Sequence, residues 1–332
     1  MTMTRRQFLA STATTAAATS AGLAALPGVA LAQSDTARIL VGFPPGGTPD
    51  VLARRLAEKM QGGYAKAVIV DNRAGAAGQI AAQAMRAAAP DGNTMLLTPM
   101  SILGVYPHTY KHLSYDPRTD LVPVTKAVSF DYVLAVGPAV PDSVRTVPEF
   151  LAWCKANPGK ASFGSPATGS TLHFIGILLG RAAGVELTHI GFRGTQAALL
   201  DLVGGQIPAV CGPLGEFMKF ASAGKCRVLG TSGASRSRFF PNVPTFVEQG
   251  YKGMAFSEWY GFFLPARSSA ATIQNLNAAV RTALSHPDVV ESLAAFGLEP
   301  APSTPADLDA TLRADTARWA KLVASVGFTA ES

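Results

Sequence analysis

The sequence has few cysteines, and none of them is arranged in a recognised pair. Only three occur in 332 residues, at positions 154, 211 and 226, and no C-x-x-C spacing is present. The chain therefore lacks the motif typical of thioredoxin-like redox sites and of many zinc sites. In an oxidising compartment two states are compatible with these positions: a Cys211–Cys226 bridge, or three buried free thiols. The second is favoured, because free cysteine behaves as a small hydrophobe.

The common enzyme motifs are also absent. The sequence contains no G-x-S-x-G, no G-x-G-x-x-G and no G-x-x-x-x-G-K-[ST], so it offers no nucleophile elbow, dinucleotide fingerprint or P-loop. His108 and His112 are four residues apart, but no H-E-x-x-H surrounds them and a solvated loop is favoured over zinc. We therefore expect no catalytic residue, no metal site and no cofactor.

Charge is sparse and evenly spread. Lys and Arg number 28 against 22 Asp and Glu, a formal net charge of +6, with no block of like charges. This mild basic excess suits a small anionic ligand better than a nucleic acid. After the first 32 residues no apolar run is long enough for a transmembrane helix.

The first 32 residues have the pattern of an export signal. Arg5 and Arg6 precede an uncharged stretch rich in Ala and Thr, which ends in the small-residue site Ala30-Leu31-Ala32. The alternative is a membrane anchor, but the low content of Leu, Ile and Phe favours cleavage after about Ala32. The paired arginines indicate the twin-arginine route, and hence a periplasmic protein.

Strand-like and helix-like segments alternate along the remaining chain. "RILVGF" (38–43) precedes a helical pattern at 50–60, "AVIVDN" (67–72) precedes one at 79–88, and "NTMLLTP" (93–99) follows a turn. A second series includes helices near 147–156, from Ser170 and from Thr195. This rhythm predicts an α/β protein with a largely parallel sheet.

Three strand-to-helix corners are candidates for an anion site. In the first, "PPGGTPD", Gly46 and Gly47 leave the backbone N–H groups accessible, Thr48 suits an N-cap and Asp50 suits the first helical turn. The second, "FGSPATGSTLHF", has hydroxyl groups around Gly169, with Ser170 as the expected N-cap, and the third begins at Gly194 and Thr195. A helix start has unpaired N–H donors, so a carboxylate or phosphate is favoured there.

The aromatic and imidazole side chains near these corners allow two interpretations each. His173 lies in the helix of the second corner, where it either donates to an anion or acts as a base, or packs beside Phe174, which is favoured. Trp259 and Tyr260 either line a pocket or belong to an aromatic core.

The order of longer motifs resembles that of a known family. "VGFPPGGTPDVLARRLAEKM", "VIVDNRAGAAGQIAA", "APDGNTMLL", "FGSPATGSTLHF", "LLDLVGGQI" and "FPNVPTFVEQGY" occur as in the Bug family (TctC-like), the extracytoplasmic solute receptors of tripartite tricarboxylate transporters. The resemblance covers nearly all of the chain after the leader. It implies a two-lobed periplasmic-binding-protein type II fold, in which each lobe is a mixed, mainly parallel sheet flanked by helices.

The resemblance also implies lobe boundaries and a site. The first predicted lobe comprises 33–132 plus 231–332, the second comprises 133–230, and the ligand lies in the cleft between them. The expected ligand contacts come from the corners and from the end of the third strand: Phe43, Pro45, Gly46, Gly47, Thr48, Asp50, Ser101, Ser165, Thr168, Gly169, Ser170, His173, Phe192, Gly194 and Thr195.

The sequence therefore predicts a monomeric periplasmic receptor for a small carboxylate, which is a di- or tricarboxylate, an amino acid or an aromatic acid. Its further partners would be the membrane subunits of a tripartite tricarboxylate transporter, where such a permease exists. Two alternatives stay open: a secreted α/β enzyme that acts on carboxylic acids, and a ligand sensor that signals through another protein.

Overall fold

The computed structural model describes residues 34–330, so the predicted signal peptide lies outside the described residues. Ten strands are present in this part of the chain: β1 (Ser34–Val41), β2 (Ala65–Asn72), β3 (Thr94–Pro99), β4 (Leu121–Val136), β5 (Ser162–Ser165), β6 (Thr188–Gly191), β7 (Ala209–Pro213), β8 (Arg227–Thr231), β9 (Ser257–Pro265) and β10 (Glu299–Pro300).

Eleven α-helices accompany these strands within the described range: α1 (Thr48–Met60), α2 (Gln79–Ala84), α3 (Met100–Gly104), α4 (Tyr106–Thr109), α5 (Val147–Ala156), α6 (Thr171–Ala182), α7 (Thr195–Val203), α8 (Leu214–Ser222), α9 (Ala270–Ser285), α10 (Pro287–Ala294) and α11 (Pro305–Val326). Between residues 34 and 330, no helix is both long and apolar enough to cross a membrane.

The strands form one mixed sheet in the order β2-β1-β3-β9-β4-β7-β5-β6, with β8 and β10 paired to β4. Parallel pairs lie at its two ends, where β1 pairs with β2 and β3, and β5 pairs with β6 and β7. The central pairs of β4 and β9 are antiparallel. The predicted α/β class is confirmed, and the parallel ends place the loops after β1, β5 and β6 at carboxyl ends of strands, where open α/β sheets bind ligands.

β4 connects the two ends of the sheet. Its first part, Leu121–Asp131, pairs with β9, and its second part, Tyr132–Val136, pairs with β7 and β8. The change of partner falls at the lobe boundary predicted near residue 132, although the boundary itself stays a prediction. The strand tolerates Pro123 because the register shifts there, as expected at a bulge.

The sequence interpretation missed several elements. β4 is longer than the apolar run 131–137 suggested, β9 and α8 were not anticipated, and His108 lies in the short helix α4 rather than in a loop, although its side chain is exposed. In the first corner the helix begins one residue early, so that Gly47 and not Thr48 is the N-cap. These differences are local, and the order of the predicted strands and helices is otherwise retained.

The cysteines are buried and unbridged. Cys154, Cys211 and Cys226 are all free thiols, and burial raises the pKa of Cys154 to about 12 and that of Cys226 to about 11. Both values lie above the ordinary thiol range, so these groups stay protonated and unreactive at neutral pH. The free-thiol interpretation is therefore correct, and the Cys211–Cys226 bridge is not formed.

Candidate functional site

A cavity lies where the three predicted corners meet. Seven of the residues expected at the site line it: Phe43, Pro45, Gly47, Ser101, Ser170, Gly194 and Thr195. They come from the starts of α1, α3, α6 and α7, so segments far apart in the chain converge on one space. Whether each of them contacts a ligand stays a prediction.

The other eight expected residues do not line the cavity; they are Gly46, Thr48, Asp50, Ser165, Thr168, Gly169, His173 and Phe192. Most of them lie in the same three corners, outside the cavity lining. The sequence could place these residues in a corner, but it could not show which side chains would point into the cavity.

The first corner is held by Asp50. Its carboxylate accepts hydrogen bonds from Gly46 N–H at 2.9 Å and from Asn72 Nδ2 at 2.9 Å, and it pairs with Arg54 at 2.9 Å. Burial alone raises the pKa of Asp50, but the bonds from Arg54, Gly46 and Asn72 outweigh it and hold the pKa below its usual value. Asp50 is therefore ionised at neutral pH, and its carboxylate fixes the Gly46–Gly47 turn.

The second corner rests on a pair of stacked imidazoles. The rings of His173 and His189 lie 3.8 Å apart, Gly169 N–H donates to His173 Nδ1 at 3.1 Å, and Ser165 Oγ lies 2.8 Å from His189 Nε2. Burial, and for His173 also the neighbouring His189, lowers the pKa of His173 to about 3 and that of His189 to about 4. The pair is neutral at neutral pH, and His173 holds the turn before α6 through its hydrogen bond from Gly169.

The start of α6 does not use the expected side-chain cap. Ser170 is the N-cap residue, as predicted, but its hydroxyl donates to the carbonyl of Ala167 at 2.7 Å instead of accepting from the helix. Gly169 has a φ of +75°, a conformation that favours glycine. The first N–H groups of α6 are therefore left without a side-chain acceptor.

The third corner has the same character. Gly194 caps α7 with a φ of +92°, and no side-chain oxygen caps the helix. Arg193, Gly194, Thr195 and Gln196 all line the cavity. A helix start with uncapped N–H donors beside a cationic side chain is a favourable place for a carboxylate.

Glu216 is the functional candidate that the sequence interpretation missed. It lies near the start of α8, lines the cavity and is 8 % exposed. Its carboxylate accepts hydrogen bonds from Thr48 Oγ1 at 2.7 Å, from Thr48 N–H at 3.3 Å and from Gln196 Nε2 at 2.9 Å. The only available signal was a lone acid in the apolar stretch "CGPLGEFMKF".

Burial raises the pKa of Glu216, and the hydrogen bonds from Thr48, Gln196 and Thr195 only partly oppose this effect. All the donors identified for this carboxylate are neutral, and among residues 34–330 no Lys, Arg or His forms an ion pair with it. A buried carboxylate without a cationic partner is uncommon and costly.

Aromatic side chains complete the wall. Tyr132 and Tyr260 line the cavity together with Pro99 and Pro213, and the hydroxyl of Tyr132 donates to buried Glu258. Trp259 instead donates its indole N–H to Asp315 at 2.9 Å and belongs to the core. Each of the two interpretations therefore applies to one residue of the pair. Tyr260 lines the cavity, and Trp259 packs in the hydrophobic core.

The arrangement suits binding better than catalysis. The Ser165–His189 contact has the distance of a nucleophile–base pair, but Ser165 is fully buried and neither residue lines the cavity. Within the described part of the chain, no cluster of three or more His, Cys, Asp or Glu could hold a metal ion. The cavity presents neutral donors, backbone N–H groups, one Arg and one buried carboxylate.

The family model of the tripartite tricarboxylate transporter family receptor matches residues 52–328. Protein BugT of Bordetella pertussis is 33% identical over 291 residues, which cover 87% of this chain and 89% of BugT.

Two solved structures share the fold. R. palustris Rpa4515 with adipate has a TM-score of 0.84 and 28% identity, over 90% of this chain and 98% of that one. MatC from Rhodopseudomonas palustris with bound malate has a TM-score of 0.79 and 27% identity, over 87% and 98%.

Proposed function

Because this chain belongs to the family of tripartite tricarboxylate transporter receptors, we propose that it captures a small carboxylate in the cavity between its three glycine-rich corners. The family and the related structures are solute receptors of the two-lobed periplasmic type. Two of these structures carry adipate and malate, so the class of ligand proposed here is a carboxylic acid.

The convergence of the α6 and α7 starts on one cavity carries the proposal. Both helices begin without a side-chain cap, and Ser170, Gly194 and Thr195 line the same space. The first N–H groups of each helix need acceptors. A carboxylate supplies them, and each charge-assisted hydrogen bond contributes about 1.5–3 kcal/mol.

We infer the remaining parts of the function from the resemblance to other members of the family. We place the first lobe at 33–132 plus 231–332 and the second at 133–230, so that the cavity lies between lobes and a ligand that contacts both favours closure. The chain would be exported, cleaved after about Ala32 and monomeric. It would deliver its ligand to the membrane subunits of a transporter without altering it chemically.

A thermal-shift screen against small carboxylic acids tests this function. Adipate and malate belong in the panel, together with monocarboxylates, amino acids and aromatic acids, and each positive acid is compared with its own primary amide. We expect at least one acid to raise Tm while its amide does not, because only the charged group gains fully from the helix starts. Absence of any stabilising acid would refute the proposal.

Two further measurements examine closure and chemistry. Small-angle scattering with the best acid should show a smaller radius of gyration than scattering without it. Mass spectrometry of the acid after prolonged incubation should return it unchanged. A product that disappears in a His189→Gln variant would instead favour the enzyme alternative.

A further inference from the structure

Glu216 occupies donors that a ligand would otherwise use. At the start of α1, the Thr48 N–H and hydroxyl both donate to Glu216, and Gly46 N–H donates to Asp50. The carboxylates of Asp50 and Glu216 therefore already accept hydrogen bonds from the turn before α1. Only Gly47, whose N–H has no partner among the described residues, stays available on the cavity side.

We propose that Glu216 makes the cavity selective for carboxylates that also carry an amino group, and that it disfavours di- and tricarboxylates. The inference rests on the proposed function and specifies its ligand. A second ligand carboxylate at this end would meet a like charge in a buried site, and such juxtapositions oppose binding strongly. An ammonium group would instead supply the cationic partner that Glu216 lacks.

A cationic side chain belongs to the same cavity lining. Arg193 lines the cavity beside the α7 start, and within the described residues it forms no salt bridge. Its guanidinium and the uncapped α6 start suit the ligand's carboxylate. Glu216 lies between the α1 and α7 starts, where Thr48 and Gln196 donate to it, and suits the ligand's amino group. The lining is therefore complementary to a zwitterion.

The groups around Glu216 fix the position of its carboxylate. Its neutral donors, Thr48, Thr195 and Gln196, hold the carboxylate in one orientation. Tyr132 and Tyr260 are the other titratable side chains of the lining besides Arg193, and burial raises the pKa of both well above the ordinary phenol value. Both phenols stay neutral, so Glu216 is the acidic determinant of this lining.

The test compares ligands of equal length by isothermal titration calorimetry. Each set contains an amino carboxylate, the plain monocarboxylate and the dicarboxylate, such as 5-aminopentanoate, pentanoate and glutarate, with the α-amino acid of the same length. We expect at least one amino carboxylate to bind at least tenfold tighter than the dicarboxylate of its set, a factor that corresponds to about 1.4 kcal/mol.

A Glu216→Gln variant tests whether the charge of Glu216 causes this preference for amino carboxylates. Glutamine keeps an acceptor oxygen and the side-chain length but removes the charge, so the ratio of the two dissociation constants should fall at least tenfold. The matched control is Asp131→Asn, which removes a half-buried carboxylate that does not line the cavity. In this control the ratio should be unchanged.

The possible results separate the two proposals. If no acid of any set binds, the receptor function fails and this inference fails with it. If acids bind but dicarboxylates bind tightest to the wild type, only the inference is overturned. If Glu216→Gln weakens all ligands by one common factor, Glu216 only connects α1 to α8 and the selectivity claim is wrong. Should Glu216→Gln not fold, the wild-type ratio alone decides.

Discussion

The stacked imidazoles of the second corner predict an acid-sensitive fold. His173 is 4 % exposed, and its Nδ1 accepts the Gly169 N–H, which requires an unprotonated nitrogen. The pKa values are lowered to about 3 for His173 and about 4 for His189. In the unfolded chain both groups return to about 6.5. The unfolded state therefore binds protons first, and the free energy of unfolding falls as the pH drops from about 6.5 toward these folded values.

The magnitude follows from the two shifts. Between about pH 7.5 and about pH 5, each imidazole gains nearly full protonation in the unfolded chain and stays neutral in the folded one. The linkage relation then gives a loss of about 2 kcal/mol for each histidine, or about 4 kcal/mol for the pair. Such a loss is a large fraction of the 5–15 kcal/mol typical of folded domains.

Two acids act in the opposite direction. Burial raises the pKa of Glu258 to about 8 and that of Asp131 to about 6. The folded state takes up their protons first, so both groups add stability as the pH falls through their folded pKa values. The wild-type profile alone therefore does not isolate the histidines, and a variant is needed.

The measurement is urea unfolding at several pH values for the wild type and for His173→Asn/His189→Gln. Asparagine retains an acceptor near the Nδ1 position, and glutamine retains a polar atom near the Nε2 position. We expect the variant to be less stable at about pH 7.5 but to lose less stability than the wild type on acidification, by about 2–4 kcal/mol. Parallel profiles for the two proteins would show that the imidazoles do not titrate as described.

Two further substitutions test the corners and the core. Gly47→Val should weaken carboxylate binding at least tenfold with little change in Tm, because φ is −77° and an added Cβ lies 3.7 Å or more from its neighbours; retention of affinity would remove Gly47 from the site. Glu258→Leu should lower the free energy of unfolding by about 1–3 kcal/mol for each donor left unpaired, because Met100 N–H, Trp259 N–H and the Tyr132 hydroxyl lose their acceptor. Glu258→Gln should cost clearly less in the same urea titration, and equal losses would contradict the hydrogen-bond account.

Gly169 is a less useful position for such a test than Gly47. An added Cβ would lie 3.1 Å from atoms of Thr109 and Tyr110, and the φ of +75° disfavours any side chain by about 1–2 kcal/mol. A Gly169→Val variant would therefore lose stability as well as affinity. The two glycines look equivalent in sequence, and only the backbone geometry separates them.

Local sequence signals were sufficient to predict the three corners. They were not sufficient to predict Glu216 and Tyr260, which also line the cavity. Gly46, Gly47, Gly194 and Ser170 could be assigned to helix starts because glycine and capping residues act through their immediate neighbours. The exact start of α1 was missed by one residue, since Gly47 and Thr48 are both acceptable caps. The corners were thus predictable in position and less so in detail.

Glu216 could not be found in this way. Its partner Thr48 is 168 residues away in sequence, and no local pattern reports such a contact. α8 was also hidden, because "PLGEFMKF" follows a strand directly and its apolar residues fit a strand or a helix. The same ambiguity concealed β9 in "SEWYGFFLP", and with it the position of Tyr260.

The long strand β4 has a mechanical consequence. It crosses from one half of the sheet to the other on hydrogen-bonded extended backbone, and it changes partners between Asp131 and Tyr132 without an intervening loop. If the two halves rotate against each other as proposed, β4 would accommodate the rotation as twist spread over several residues. We therefore expect such a rotation to be distributed along β4 and not concentrated at one flexible residue.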